Sequence, residues 1–400
     1  MSSNVVGIDI GTGGVRGVEV AHPGKPKASV VRYHAVALPE GAVVRGEVVE
    51  PNTVAGALKQ LWAQGGFKSK NVVLGMGNHR VLSRDLTMPR ASLAHIRESL
   101  PYQVQDMLPI PLEDALLDFY PVAEGEGESG PVVSGLLIAA VREAVKGNVR
   151  AVELAGLLPL DVDLMPFALT RVLNLGDRLP GTVVQVDVGA ATTSIVVTTD
   201  GVPQFVRLVP AGGDDVTRAL VDRLAIARHE ADRLKRTLGM NAAQPLAATA
   251  AVIKAEPATE PLLDPEHQPQ IPLETGLETE AKPESEPAEG QQAERDKAAL
   301  ERDAVSVIRE VTGELLSSVR NTANYFTNTR HTSISRIVLT GGGAQLPGFA
   351  EGLAALTHLP VAPAEISRMV GYSRSVNPAD LRGSQSSFLV ALGLALGSAA

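Results

Sequence analysis

The chain contains no cysteine. That excludes disulfides, thiolate metal sites and a cysteine nucleophile, and it is compatible with a reducing cytoplasm. Aromatic residues make up only 3% of the sequence, with a single Trp, so Val, Leu and Ala are the main core fillers. Long hydrophobic runs are also missing. The longest apolar stretch, Phe388 to Leu396, is too short to span a bilayer and is predicted to be a buried helix. The N-terminus runs straight into a strand, with no charged-then-apolar signal segment. Excess charge is scarce outside one stretch. Residues 241–290 hold ten Asp or Glu against two Lys, which accounts for eight of the nine net negative charges. The remaining body is nearly neutral, so global electrostatics favour neither nucleic acid nor an anionic membrane surface as a partner.

The acidic stretch also carries eight of the 27 prolines and no aromatic residue. It has no sustained helical or strand period and cannot bury enough apolar surface to offset ordering, so a disordered insertion is expected over 241–294. An ordered domain tolerates such a loop, because each doubling of loop length adds only about 0.6 kcal/mol to closure. With 400 residues, of which 44% are hydrophobic, two or more packed domains are expected.

One short phrase occurs twice. Val5-Val6-Gly7-Ile8-Asp9-Ile10-Gly11-Thr12-Gly13-Gly14 opens the chain, and Val183-Val184-Gln185-Val186-Asp187-Val188-Gly189-Ala190-Ala191-Thr192-Thr193 restates it 178 residues later. Each is a β-branched run, an Asp, one apolar residue, a Gly and then small residues. Strand-like sequence follows both copies, at Val18-Glu19-Val20 and Ile195 to Thr199. The small residues therefore read as β-hairpin tips, unlike dinucleotide or Walker-type loops, whose glycines open a helix. Such a tip turns backbone N–H groups toward an anion with no Cβ in the way. An Asp ending the preceding strand can orient a metal-bound water beside that anion. Taken alone, an Asp-x-Gly turn is equally ordinary hairpin chemistry.

Strand-rich sequence fills 4–50, followed by a helix over 53–64 and a buried strand at Asn71 to Met76. A helix over 92–107 contains Pro101 and is expected to kink or break there. A strand (Leu116 to Val122), a turn (Glu124 to Gly130), a strand (Val132 to Val141) and a helix over 142–156 complete a block with its own punctuation, an inserted subdomain. After the second hairpin, Gly212-Gly213-Asp214-Asp215 makes a turn and N-cap. Val216, Leu220, Leu224, Ala227, Ala231, Leu234 and Leu238 then recur at helical spacing. A helix over 296–329, a buried strand at Ile334 to Thr340 and the turn Gly341-Gly342-Gly343 follow, with another helix beginning near Leu346 or Pro347. This order describes an α/β protein of two related lobes.

The succession of two Asp-x-Gly hairpins, a helix with Ala231-Asp232 and Lys235, and a triple-glycine turn resembles the actin-like ATPase superfamily. Within it the chain resembles the PilM family of type IV pilus assembly. That likeness rests on Leu100-Pro101-Tyr102-Gln103, Ile110-Pro111-Leu112-Glu113-Asp114, Ala211-Gly212-Gly213-Asp214-Asp215, Leu346-Pro347-Gly348-Phe349 and Phe388 to Ala395. It implies a duplicated, ribonuclease H-like two-lobed fold with an inserted subdomain like that of the division protein FtsA. The implied boundaries are 1–87 for the first lobe, 88–158 for the insert, 159–180 for a return to the first lobe, 181–240 and 295–368 for the second lobe around the acidic insertion, and 369–400 for a C-terminal helix back on the first lobe.

The resemblance also implies a Mg-ATP site between the lobes. Asp9 and Asp187 face the Mg²⁺ and its waters. Gly11, Thr12, Gly13 and Gly14, with Arg16, and Gly189, Ala190, Thr192 and Thr193 wrap the β- and γ-phosphates. Asp232 and Lys235 approach the ribose or adenine, and Gly341, Gly342 and Gly343 pack against the nucleoside. Arg16 stands where a Lys is usual, and Asp232 where a longer Glu is usual, which points to binding with at most slow hydrolysis. The implied partner is the cytoplasmic N-terminal tail of a PilN-type inner-membrane protein, received where the insert meets the first lobe. The protein would be cytoplasmic, with no membrane anchor of its own. Two alternatives share the hairpins. An FtsA-like protein would end in an amphipathic membrane helix, whereas this sequence stops at Gly397-Ser398-Ala399-Ala400 after an apolar helix. A small-molecule kinase would need a catalytic base in the cleft, and His79, His95 and His229 are scattered.

Overall fold

The computed structural model describes residues 4–23, 28–175, 179–240, 289–364, 371–373, 376 and 385–397. Most of the expected acidic insertion lies outside the described residues.

The first lobe begins with β1 (Val5–Gly11), β2 (Gly14–Ala21) and β3 (Ser29–Ala37), followed by a small hairpin of β4 (Val43–Val44) and β5 (Glu47–Val48). Helix α1 (Pro51–Gly65) starts on a proline, whose missing N–H needs no partner there, and ends at Gly66 in the left-handed region (φ +64°). Strand β6 (Asn71–Met76) leads to β7 (Leu82–Pro89) and α2 (Leu93–Gln103), where the Ser92 hydroxyl accepts the His95 N–H. Pro101 does not end α2. The helix runs two residues further, and a 3₁₀ turn follows at Gln105–Met107. Next come β8 (Ala115–Gly127), β9 (Gly130–Val141), α3 (Arg142–Leu154), β10 (Leu158–Leu164) and α4 (Met165–Leu173).

The second lobe has β11 (Thr182–Val188), β12 (Thr193–Thr199), β13 (Val202–Val209), α5 (Gly213–Leu224), α6 (Arg228–Leu238), α7 (Glu289–Arg330), β14 (Arg336–Thr340), α8 (Phe349–Thr357) and β15 (Val361–Pro363). Strand β16 (Gly371–Tyr372) and helix α9 (Gln385–Gly397) return to the first lobe.

Sheet order shows the duplication directly. The first sheet runs β10-β6-β1-β2-β3-β16 and the second β15-β14-β11-β12-β13. In each, three successive antiparallel strands are extended by two parallel ones, β6 and β10 beside β1, and β14 and β15 beside β11. This is the α/β, actin-like, ribonuclease H-like two-lobed architecture expected from the sequence.

Helices α1 and α3 cover one face of the first sheet. Helices α4 and α9 cover the other, where they share a core with Val183 and Val338 of the second sheet. Close approach of α9 depends on glycine. A Cβ on Gly7 would lie 1.9 Å from the Ala391 carbonyl oxygen, and one on Gly393 would lie 1.9 Å from that of Ala168.

A third sheet, in the order β7-β9-β8, is antiparallel and carries α2 on its core side. It spans 82–141, whereas the expected insert ran over 88–158. Helix α3 follows β9 without a break but packs on α1 in the first lobe. The apolar spacing through 216–238 is split between two helices, because Ala225 takes a left-handed φ of +53° between α5 and α6. The spacing survives the break because both helices pack into one core with α7.

Candidate functional site

Both repeated phrases form hairpins. In the first, Asp9 pairs with Arg16 and Gly11 with Gly14, leaving Thr12-Gly13 as the tip. In the second, Val188 pairs with Thr193, and the Gly189–Thr192 loop is closed by a 2.9 Å bond from the Gly189 N–H to the Thr192 carbonyl. The tips face each other across the interlobe cleft. A Cβ on Gly13 would stand 3.9 Å from that of Ala190.

The loop of the second hairpin is braced by the start of α5. The N–H groups of Gly213 and Asp214 donate to the Gly189 and Ala190 carbonyls, at 3.0 and 2.7 Å. Gly212 must be glycine here, since a Cβ would lie 2.5 Å from the Ala190 carbonyl oxygen. In the triple-glycine turn, Gly341 (φ +86°) and Gly343 press on Val188, while nothing lies within 4 Å of a Cβ built on Gly342. Gly342 is thus the member that leaves room for a ligand.

These parts surround a cavity of about 920 Å³. Asp9, Gly11, Thr12, Gly13, Arg16, Asp187, Gly189, Ala190, Thr192, Lys235 and Gly341 to Gly343 all line it. Three candidate residues lie off its wall. Gly14 (φ +152°) packs on β3, where a Cβ would meet the Val36 carbonyl at 2.5 Å. Thr193 is buried, and its hydroxyl donates to the Ala211 carbonyl at 2.7 Å. Asp232 accepts from Thr217 at 2.8 Å and pairs with Lys235 at 3.2 Å. Lys235 reaches further and donates to the Gly213 carbonyl at 3.0 Å.

Electrostatics distinguish the carboxylates. Burial pushes the Asp9 carboxyl up, and the Arg16 guanidinium, 3.1 Å away, offsets only part of that. Burial pushes Asp187 up to about 6. The Thr340 hydroxyl, donating at 2.8 Å, lowers it, and the negative charge of Asp9 raises it. Burial also acts on Asp232, but hydrogen bonds from Thr217 and Lys235 outweigh it and hold this carboxyl below its usual range. Asp9 and Asp187 are therefore under-neutralised and suited to a cation, whereas Asp232 is already satisfied. Among the described residues no group of three or more His, Cys, Asp or Glu forms a metal cluster. A divalent ion here would need ligand oxygens in addition to the two aspartates.

Sequence reasoning missed several participants. Thr340, the last residue of β14, steadies Asp187, and only the parallel pairing of β11 with β14 places the two side by side. Arg45 and Arg236 also line the cavity. Arg45 comes from a segment with no motif, whereas Arg236 directly follows Lys235 on the helix singled out in the sequence.

Comparison with known proteins agrees with the fold. The sequence model of the family described as type IV pilus assembly protein PilM matches residues 7–244 and 286–399. A solved structure described as a PilM-PilN type IV pilus biogenesis complex has the same fold, with a TM-score of 0.73, 24% identity, and coverage of 99% of this chain and 98% of that one. The cell division protein FtsA of Bacillus subtilis (strain 168) is 24% identical over 259 residues, and FtsA of Enterococcus hirae is 26% identical over 258. Each of these matches covers 58% of this chain, and 58% and 57% of the respective relatives. Among the described residues no helix is long and apolar enough to cross a membrane. By the extent of the family match, the chain belongs to the PilM family of type IV pilus assembly proteins.

Proposed function

We propose that this pilus assembly protein is a cytoplasmic scaffold that binds Mg-ATP between its lobes and docks the N-terminal cytoplasmic peptide of a PilN-type inner-membrane protein. The observation that carries the nucleotide reading is the convergence of both hairpin tips, the open Gly342, the buried Asp9 and the half-buried Asp187 on one cavity. Backbone N–H groups of the tips would hold the phosphates, and Lys235 and Arg16 would add positive charge. Asp9 and Asp187 would orient the Mg²⁺ and its waters, and bound Mg²⁺ would neutralise the phosphate oxygens.

The peptide reading draws on the structural likeness to a PilM-PilN complex and on the first lobe's surface. Strand β10 is an edge strand with Leu158 and Leu160 about half exposed, at 57% and 50%. It lies near the insert, where Arg97 of α2 feels the charge of Asp161. An open edge flanked by apolar side chains suits an extended peptide.

Calorimetric titration tests both parts. Mg-ATP should bind the native chain, and Asp9→Ala should weaken it at least about tenfold, the scale of losing one charged contact. Unchanged affinity in that variant would sink the nucleotide assignment. A PilN-type N-terminal peptide should bind the native chain, and Leu160→Asp should abolish that binding while Mg-ATP affinity stays the same.

A further inference from the structure

The hairpin of β4 and β5 is a rigid arm of the first lobe. The Glu47 carboxylate pairs with Arg80 at 3.2 Å, and the Val49 N–H donates to the Ala42 carbonyl at 3.0 Å. The backbone of Val48 lies so close to α3 that a Cβ on Gly147 would stand 3.2 Å from its carbonyl oxygen. At the tip, Arg45 takes φ +48° ahead of Gly46 at φ +82°. Positive φ at both central residues suits a two-residue hairpin, but it is disfavoured for a long side chain and usual for Asn or Gly. A disfavoured residue held at a tip invites the question of what its side chain reaches.

It reaches the other lobe. The Arg45 guanidinium donates to the Pro210 carbonyl, and it lies 3.7 Å from the Asp215 carboxylate. Asp215 is itself fixed, because its carboxylate accepts the Gly212 N–H at 2.7 Å and the Arg218 guanidinium at 2.5 Å. Through Gly212 and Gly213 this anchor is continuous with the brace of the second hairpin. Arg45, Pro210 and Asp215 also line the cavity, so the contact closes over the candidate ligand site. A second bridge crosses nearby. Arg228 of the second lobe pairs with Glu40 at 3.2 Å and with Asp214. That bridge is the weaker one, since the Glu40 side chain is 77% exposed, against 35% and 21% for Arg45 and Asp215.

We propose that Arg45 is a positioning residue that latches the two lobes across the mouth of the cleft and so retains a bound nucleotide. The retention part rests on the nucleotide reading above, whereas the latch does not. An arm anchored on one lobe, a fixed acceptor on the other and a cavity between them make a closure whose opening breaks these contacts before a ligand can leave. Because an ion pair contributes, raised salt weakens the latch.

The absence of cysteine allows the test on the full chain. Cysteines replacing exposed Lys59 and Glu351, one per lobe, carry spin or dye labels that report the interlobe distance without nucleotide. Arg45→Ala should lengthen and broaden that distance distribution at low salt, and 0.5 M NaCl should do the same to the parent while hardly altering the variant. An unchanged distribution in Arg45→Ala overturns the latch. In stopped-flow release of a fluorescent ATP analogue, Arg45→Ala should dissociate about 3- to 10-fold faster, as expected for losing an exposed ion pair and one hydrogen bond. Equal release rates overturn the retention role. No binding of the analogue to the parent would instead overturn the nucleotide reading and with it retention, and the distance measurement would still decide the latch.

Discussion

Burial drives the Asp187 carboxyl up to about 6, against a single hydrogen bond from Thr340 that favours the charged form. A carboxyl raised in the native state binds more protons folded than unfolded as pH climbs between its ordinary value and the raised one. Across that window it subtracts stability, and above about pH 6 the loss is complete. Asp187→Asn keeps an acceptor for Thr340 and removes the buried charge. The ligand-free variant should therefore be more stable than the parent at pH 7.5, by on the order of 2 kcal/mol. The difference should shrink through pH 6 to 4 and vanish below about 4, where the parent is protonated in both states. Urea unfolding at a series of pH values measures it, and a pH-independent difference would remove the burial argument. The same variant should bind Mg-ATP more weakly, the usual exchange of stability for function at such a site.

At the level of elements, glycine separates a packing requirement from a local defect. Helix α9 meets β1 where Gly7 faces the Ala391 carbonyl, and a side chain cannot be inserted without displacing the helix. Gly7→Val should cost about 3 kcal/mol or more and release α9. Gly56 in α1 is exposed and has open space where a Cβ would stand, so Gly56→Ala should gain up to about 1 kcal/mol. Thermal unfolding of the two variants should give shifts of opposite sign. Much at this scale was legible in the sequence. The β-branched runs and their small-residue tips marked both hairpins, β6 matched its expected ends, and the apolar 388–396 run is a buried helix. The missed features depend on tertiary context. Periodicity read 216–238 through the turn at Ala225, because both halves face one core. Strands β8 and β9 continue into polar sequence to leave only a two-residue turn, since cross-strand pairing extends them past their apolar part. The roles of Thr340 and Arg45 were hidden because their partners lie far along the chain, at Asp187 and at Pro210 and Asp215.

Over the whole molecule the two lobes are coupled more tightly than a hinge with a ligand between its halves. Helices α4 and α9 share one apolar core with Val5 and Val73 of the first sheet and with Val183 and Val338 of the second. The inserted sheet adds a second joint core, in which Leu136 and Ile138 pack with Val196 and Val206 of the second lobe. An ion pair from Arg330 at the end of α7 to Asp85 of β7 runs along the same seam at 2.6 Å. Unfolding one lobe would strip apolar cover from the other, so the described parts should melt in one cooperative transition despite the chain's length. Mg-ATP at a hundred times its dissociation constant should stabilise that whole unit by about 2.7 kcal/mol through mass action. Calorimetry should show a single peak that moves upward with Mg-ATP in the parent and about half as far or less in Asp9→Ala. Two resolved transitions, with only one responding to nucleotide, would mean that the shared cores do not couple the lobes. The lobes would then be held across the cleft by the Arg45 and Arg228 bridges and by ligand contacts.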